Sequence, residues 1–297
     1  SPAGVETSPW GDVFYTDNQG EWCGASKLSI MKPGDFHGHP HGIASCKKEE
    51  WTYSVVENVP DGKLFPEVKK EIPELRLPAV WFPYDKMGRS PAGMAWDMSE
   101  GEFGPFAGHL FVTDQYDASV MRVSLEEVNG NWQGACYPFR MGLQCGAIRC
   151  EFGPDNSLLV GQTNRGWGGR GNKPYGLQRL RWTGVTPFEI HTMSAIPGGF
   201  SLRYTERIKT EELDLSSFKM KSYTYKLHSP YGSPEVDTKE LTISSLKAHE
   251  DGLGLDLIVE GLRSGYVHEL NGSGIRSKDG QEPVHKMAYY TLIELAK

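Results

Sequence analysis

Long hydrophobic runs are missing from this chain: nothing in its 297 residues approaches the ~18–20 consecutive apolar positions that a membrane-spanning helix needs. An excess of positive charge is missing as well. Lys and Arg number 31 against 38 Asp and Glu, for a net charge of −7. A nucleic-acid binder presents a basic face to neutralise phosphates, so nucleic acid is excluded as the main partner. Cysteine is sparse: Cys23, Cys46, Cys136, Cys145 and Cys150 form neither a C-x-x-C pair nor a haem-attachment motif. Cys145 and Cys150 could close a small loop, and the others read as small buried apolar residues. The opening Ser-Pro-Ala-Gly has neither an initiator Met nor a charged-then-apolar leader, which reads as a processed or partial product.

What is present points to β-structure. Eight Trp, 13 Tyr and 12 Phe supply ample surface to bury, which excludes disorder over the whole length. With 35 Gly and 19 Pro, the composition fits many short strands joined by tight turns.

One pattern occurs three times: a turn, an apolar strand, a polar cluster, then a second alternating strand. It spans Gly11–Asn18 with Lys27–Ile30, Gly108–Gln115 with Val120–Leu125, and Asn156–Thr163 with Leu177–Trp182. The second and third copies lie 48 residues apart, within the period of roughly 40–50 residues expected of propeller blades. Residues 33–80 then read as an insertion or a degenerate blade. In a blade the polar clusters fall on loops at one end of the central channel. Three blades do not close a ring, because propellers have roughly four to eight. Further blades are therefore expected, from upstream sequence or from another chain.

Beyond Trp182-Thr183-Gly184 the composition changes. Alternating segments at Phe200–Tyr204, Lys221–Tyr225, Glu240–Ile243, Leu255–Val259 and Val267–Leu270, separated by Gly, Asp or Ser turns, predict a β-sandwich, with one short helix near Glu211–Phe218. The expectation is an all-β chain: about three to four blades of a six-bladed β-propeller over 1–184, then an immunoglobulin-like β-sandwich over 185–297.

Several segments carry a family resemblance. Pro2–Val5, the strand ending Thr16-Asp17, and Lys27–Pro40 are similar to the second half of the glucose/sorbosone dehydrogenase superfamily. Ser90–Ala95, Phe103–Val112, Ile148-Arg149 and Gly153–Leu158 resemble that superfamily's later blades, and the ending Tyr289–Leu292 extends the likeness into the tail. The resemblance implies a secreted, periplasmic or cell-surface quinoprotein. Such a protein binds pyrroloquinoline quinone and calcium in its channel and oxidises sugars with a His general base.

Carried over residue by residue, that apparatus is largely replaced. The family's Arg-Asn pair would fall at Ser1 and before it, and its catalytic His belongs to earlier blades. The calcium-binding stretch corresponds to Gly20–Lys27, where Ser26 stands for an Asp and Lys27 for a Glu. Calcium takes six to eight oxygen ligands, and a Lys opposes it. Of two arginines that would contact the quinone, Ala147 replaces one and Arg149 keeps the other. Arg149 is thus the cofactor-binding candidate, and the catalytic residues stay unassigned.

The polar clusters furnish the substrate-binding candidates. Asp17, Asn18, Gln19, Glu21 and Trp22 combine carboxylates, amides and an indole, which suits a sugar: polar groups bond hydroxyls and an aromatic face covers the ring's C–H side. Asp114 and Gln115 are equivalent in the next repeat. Asn164, Arg165, Trp167 and Arg170 follow in the third, amid five glycines from Gly161 to Gly171. No GK[ST] ends that glycine-rich stretch, so it is not a P-loop. His37, His39 and His41 alternate on an extended chain as zinc ligands could, but they overlay a packing turn of the family, and no metal site is assigned to them. Two functions follow as expectations. One is a quinoprotein-type sugar dehydrogenase completed by upstream blades. The other is a carbohydrate-binding or assembly module that has lost its cofactor site.

Overall fold

A computed structural model describes residues 1–297, which form several antiparallel sheets and one short α-helix. The first sheet runs β1 (Pro2–Thr7), β2 (Val13–Asp17) and β3 (Ser26–Met31). An insertion containing β4 (Lys63–Leu64) and α1 (Phe65–Glu71) follows, and β5 (Val80–Phe82) then returns to pair with β3. The helix begins with a Pro in its first turn, where no backbone N–H is needed, and buries Phe65 and Val68.

The second meander is β6 (Pro91–Trp96), β7 (Leu110–Asp114), β8 (Ser119–Val128) and β9 (Asn131–Arg140), and the third is β10 (Ala147–Phe152), β11 (Leu158–Thr163) and β12 (Tyr175–Leu180). The remaining strands are β13 (Ile190–Ile196), β14 (Gly199–Tyr204), β15 (Lys219–Thr224), β16 (Lys226–Leu227), β17 (Val236–Leu241), β18 (Ile243–Ala248), β19 (Gly254–Val259), β20 (Tyr266–Asn271) and β21 (Met287–Leu292).

Burial shows how the meanders stack. Every residue of β6 and β7 is buried, because the second meander lies between the other two, whereas β12 alternates between exposed and half-buried positions and leaves one face free. Sheets covered on both sides need continuous apolar runs; half-covered ones need alternation. The inner strands meet at glycines. A Cβ on Gly4 would sit 2.1 Å from the Ala92 carbonyl oxygen, and one on Gly93 would sit 2.8 Å from Arg149 Cα.

The strands beyond residue 184 do not stand apart. Strand β21 pairs with β9, so the second meander continues through β21, β20, β15 and β17 into one eight-stranded sheet. A four-stranded sheet, β13-β14-β19-β18, shares a core with it that includes Tyr137, Phe200, Leu257 and Tyr290. The sheets do not close into a ring. The sequence leaves a Cys145–Cys150 loop open and expects a single helix near Glu211–Phe218. All five cysteines are free, with no bond between Cys145 and Cys150. The single helix near Glu211–Phe218 is instead two 3₁₀ turns, Thr210–Glu212 and Leu215–Ser217, the second capped by the Asp214 side chain.

Candidate functional site

Strands β2, β7 and β11 end at neighbouring loops, and hydrogen bonds tie these loops together. Asn18 Nδ2 donates to Ser90 Oγ (3.3 Å), Ser26 Oγ donates to Arg89 O (3.3 Å), and Arg170 N donates to Tyr116 O (2.6 Å). Gln115 Nε2 reaches Trp167 O at 3.4 Å, and Arg170 pairs with Asp117 at 3.2 Å. The three predicted clusters therefore lie along one end of the stack.

Their side chains are committed to different degrees. Asp114 is wholly buried; it accepts from the backbone N–H groups of Arg89 (2.9 Å), Ser90 (2.7 Å) and Asp117 (2.8 Å). Burial pushes its carboxyl up to about 6, against the pull of those donors. Asn164 Oδ1 likewise accepts from Gly146 N at 3.0 Å, and its amide closes the glycine-rich loop on Lys173 O (3.1 Å). These two staple loops. Arg165 and Trp167 are exposed, and Arg149 is exposed on β10, an edge strand of its sheet, with its guanidinium 3.4 Å from Ala3 O.

The remaining candidates border two separate hollows. The larger, an open cleft of about 470 Å³, is lined by Gln19, Tyr84, Lys86, Tyr231 and Glu235 among others. Tyr84 and Lys86 come from the connection after β5; Tyr231 and Glu235 come from the loop after β16. Gly232 lets that loop close: its φ is +65°, and a Cβ there would meet the Gln19 side chain at 2.5 Å. Backbone bonds from Gly232 N to Gly20 O (3.0 Å) and from Ser233 N to Gly24 O (2.7 Å) fix it. Lys86 Nζ bridges Glu235 (2.5 Å) and Glu269 (2.8 Å), and Tyr223 donates to Glu269 at 3.0 Å. Burial works against the Lys86 charge, but the two carboxylates outweigh it and hold the ammonium above its ordinary range. The cleft thus offers two phenols, an amide, a fixed cation and carboxylate oxygens on rigid supports.

The second hollow, about 350 Å³, opens on the free face of the first sheet. It is lined mainly by apolar groups, including Val5, Tyr15, Trp22 and Met31, with Asp17, Glu21 and His37 at its polar edge. Trp22 holds φ +58°, unusual for a bulky residue, and its N–H is tied to His228 O at 2.9 Å. His37 packs edge-on to Tyr15, whereas the His39 and His41 rings lie tilted against each other with centroids 4.7 Å apart. No group of three or more His, Cys, Asp or Glu side chains is gathered to hold a metal.

The positions that the resemblance assigns to calcium are filled by protein. The Lys27 side chain is 1% exposed, with its ammonium 3.7 Å from Asp17 and 3.3 Å from His37 O. Burial opposes its charge, yet Cys23, Tyr15 and Asp17 together keep it above the ordinary lysine range. The Ser26 hydroxyl is spent between Gln19 N and Arg89 O. A divalent cation does not fit beside a buried ammonium.

Sequence reading missed Tyr84, Lys86, Tyr231 and Glu235. An exposed aromatic beside a glycine, between Ser-Pro pairs in the 228–235 loop, was the available signal. The pairing of Lys86 with a carboxylate 149 positions away left none.

No protein-family model and no curated protein sequence matches the chain. Among solved structures it is similar to a Thermus thermophilus protein provisionally described as an oxidoreductase (glucose dehydrogenase), at 21% identity and a TM-score of 0.38. The overlap covers 61% of this chain and spans 44% of the length of that one, and at that similarity no chemistry transfers between them.

Proposed function

We propose that this chain is a run of about three to four blades of a six-bladed β-propeller followed by an immunoglobulin-like β-sandwich, and that it binds carbohydrate without carrying out redox chemistry of its own. The observation that carries this reading is the 470 Å³ cleft, with Tyr84 and Tyr231 beside Gln19, Lys86 and Glu235. Sugars present C–H faces that pack on aromatic rings and hydroxyls that bond amides, carboxylates and ammonium groups. The sandwich contributes one wall, so the binding site belongs to both halves.

The free outer faces support a further part of the proposal. Val5 is 64% exposed on the first sheet, and Tyr175 and Leu177 are 75% and 70% exposed on the third. Both faces are proposed to receive additional blades, from the same polypeptide or another chain, and an extracytoplasmic address follows from the resemblance. Native mass measurement should show the gene product to be larger than 33.1 kDa or oligomeric; a stable monomer of that mass would remove this part.

One observation favours the dehydrogenase reading: Arg149 stands exposed on the edge strand β10, where a cofactor carboxylate could reach it. The two readings separate experimentally. The carbohydrate reading expects binding of neutral oligosaccharides on a glycan array, weakened roughly three- to tenfold by Tyr231→Ala, the worth of one aromatic contact. It also expects no dye reduction with aldoses after pyrroloquinoline quinone and calcium are added. Turnover under those conditions would overturn it in favour of the dehydrogenase, and an array with no bound glycan would remove carbohydrate altogether.

A further inference from the structure

A third hollow, about 320 Å³, lies away from the loop cluster, between the second and third sheets and the connection to β13. Phe103, Phe106 and Phe139 form its apolar wall, with Trp182 beside them, and Arg140, Arg179 and Arg181 line it as well. In a chain of net charge −7, this is a concentrated cationic spot. Arg179 shares one carboxylate, that of Asp155, at 3.2 Å. Arg140 donates to a backbone carbonyl, that of Phe139, at 2.7 Å, and stacks 4.5 Å from the Phe139 ring, with no acidic partner. Arg181 is exposed and forms no ion pair. Behind the wall, the fully buried Arg122 stacks 4.0 Å from the Phe106 ring and donates to backbone carbonyls, so its charge adds to the field without a contacting carboxylate.

The indole of Trp182 is held rather than free. Its Nε1 donates to Val185 O at 3.1 Å, and Gly104 lies flat against the ring, so that a Cβ there would approach the indole to 3.4 Å. A fixed aromatic platform beside unpaired guanidinium groups selects a ligand with both a C–H face and an anion.

We propose that this cleft binds an acidic sugar residue, its carboxylate or sulfate held by Arg140 and Arg181 and its ring lying against Trp182. The sugar body rests on the carbohydrate reading above; the anion rests on the arginines alone. The test is calorimetric titration of the full chain with a uronate-bearing tetrasaccharide, a sulfated one, and the carboxyl-reduced neutral counterpart. The acidic ligands should bind more tightly than the neutral one. Arg181→Gln should cut that preference about three- to tenfold, Arg140→Gln with Arg181→Gln should abolish it, and raising salt should erode it. Comparing uronate with sulfate identifies which anion is favoured. Equal affinity for acidic and neutral ligands, or Arg variants that keep the preference, would overturn this inference while leaving the carbohydrate reading in place. Failure of all three saccharides to bind would overturn both.

Discussion

At the scale of single residues, Arg122 shows how a charge can hold two elements together without an acid. Its guanidinium is sandwiched between the Phe106 and Tyr137 rings at 4.0 and 4.2 Å. It donates to Ile190 O (2.6 Å) and His191 O (2.7 Å), clamping β8 to the start of β13. His109 Nδ1 lies 2.9 Å from the same nitrogen and must accept, which keeps that imidazole neutral. Burial draws the Arg122 pKa down to about 10, still far above physiological pH, so the charge persists. Arg122→Met should destabilise the protein by about 3 kcal/mol, since two buried carbonyls lose a charged donor. Arg122→Lys should recover little, because an ammonium has neither the planar stacking surface nor the forked geometry. Urea denaturation measures both; a Lys variant as stable as the parent would show that charge alone suffices.

At the scale of elements, the close packing of the meanders rests on glycine. With the Ala92 carbonyl oxygen 2.1 Å from the position of a Cβ on Gly4, Gly4→Ala must push β1 away from β6. The same shift would break the bond from Thr16 Oγ1 to Ala92 O, now 2.8 Å. A loss of about 1–3 kcal/mol is expected, readable as a lower urea midpoint, whereas Gly11→Ala, with nothing within 4 Å of its Cβ, should show only the smaller cost of its positive φ. These elements were legible in sequence to the extent that burial was simple. Strands β2, β7 and β11 announced themselves as apolar runs ended by polar clusters, and β14, β19 and β20 by alternation. Strand β9 was not legible, because Asn131–Arg140 mixes Gln, Gly, Cys and Pro in a strand whose partners are β8 and β21. Helix α1 was hidden in the insertion, because its Phe65 and Val68 are buried in a core completed by distant elements, with Phe65 edge-on to Trp81 of β5 at 5.0 Å. The loop cluster was found for the same reason as the strands that carry it. The cleft was not, since six of its nine lining residues come from the stretch Tyr225–Glu235 far downstream, with Glu235 149 positions from Lys86.

Across the whole molecule, imidazoles kept neutral by burial make the fold sensitive to acid. Burial, reinforced by Lys27, lowers His37 to about 4; burial lowers His268 to about 3; burial and Arg122 drive His109 well below its ordinary value. These residues sit beside the first sheet, in the eight-stranded sheet and against β13, so no single unit bears the effect. In the unfolded chain each takes up a proton near pH 6.5, while the folded protein refuses it until the pH is far lower. Their stabilisation is therefore complete above about pH 6.5 and is lost as the pH falls towards the folded values. Asp114 works in the opposite direction: with its carboxyl raised to about 6, the folded state binds the extra proton between about 4 and 6, which offsets part of the loss there. At about 1.4 kcal/mol per pKa unit, the His37 and His268 shifts alone amount to a large part of the ~5–15 kcal/mol that holds an ordinary domain. The melting temperature should accordingly fall steadily below pH 6.5, with acid unfolding by about pH 4. His268→Gln, which keeps a neutral polar group there, should flatten the lower part of that profile, and Asp114→Asn should steepen it between pH 4 and 6. A melting temperature that is constant from pH 7 to 4 would mean that these imidazoles are open to water, and with them the interfaces between the sheets.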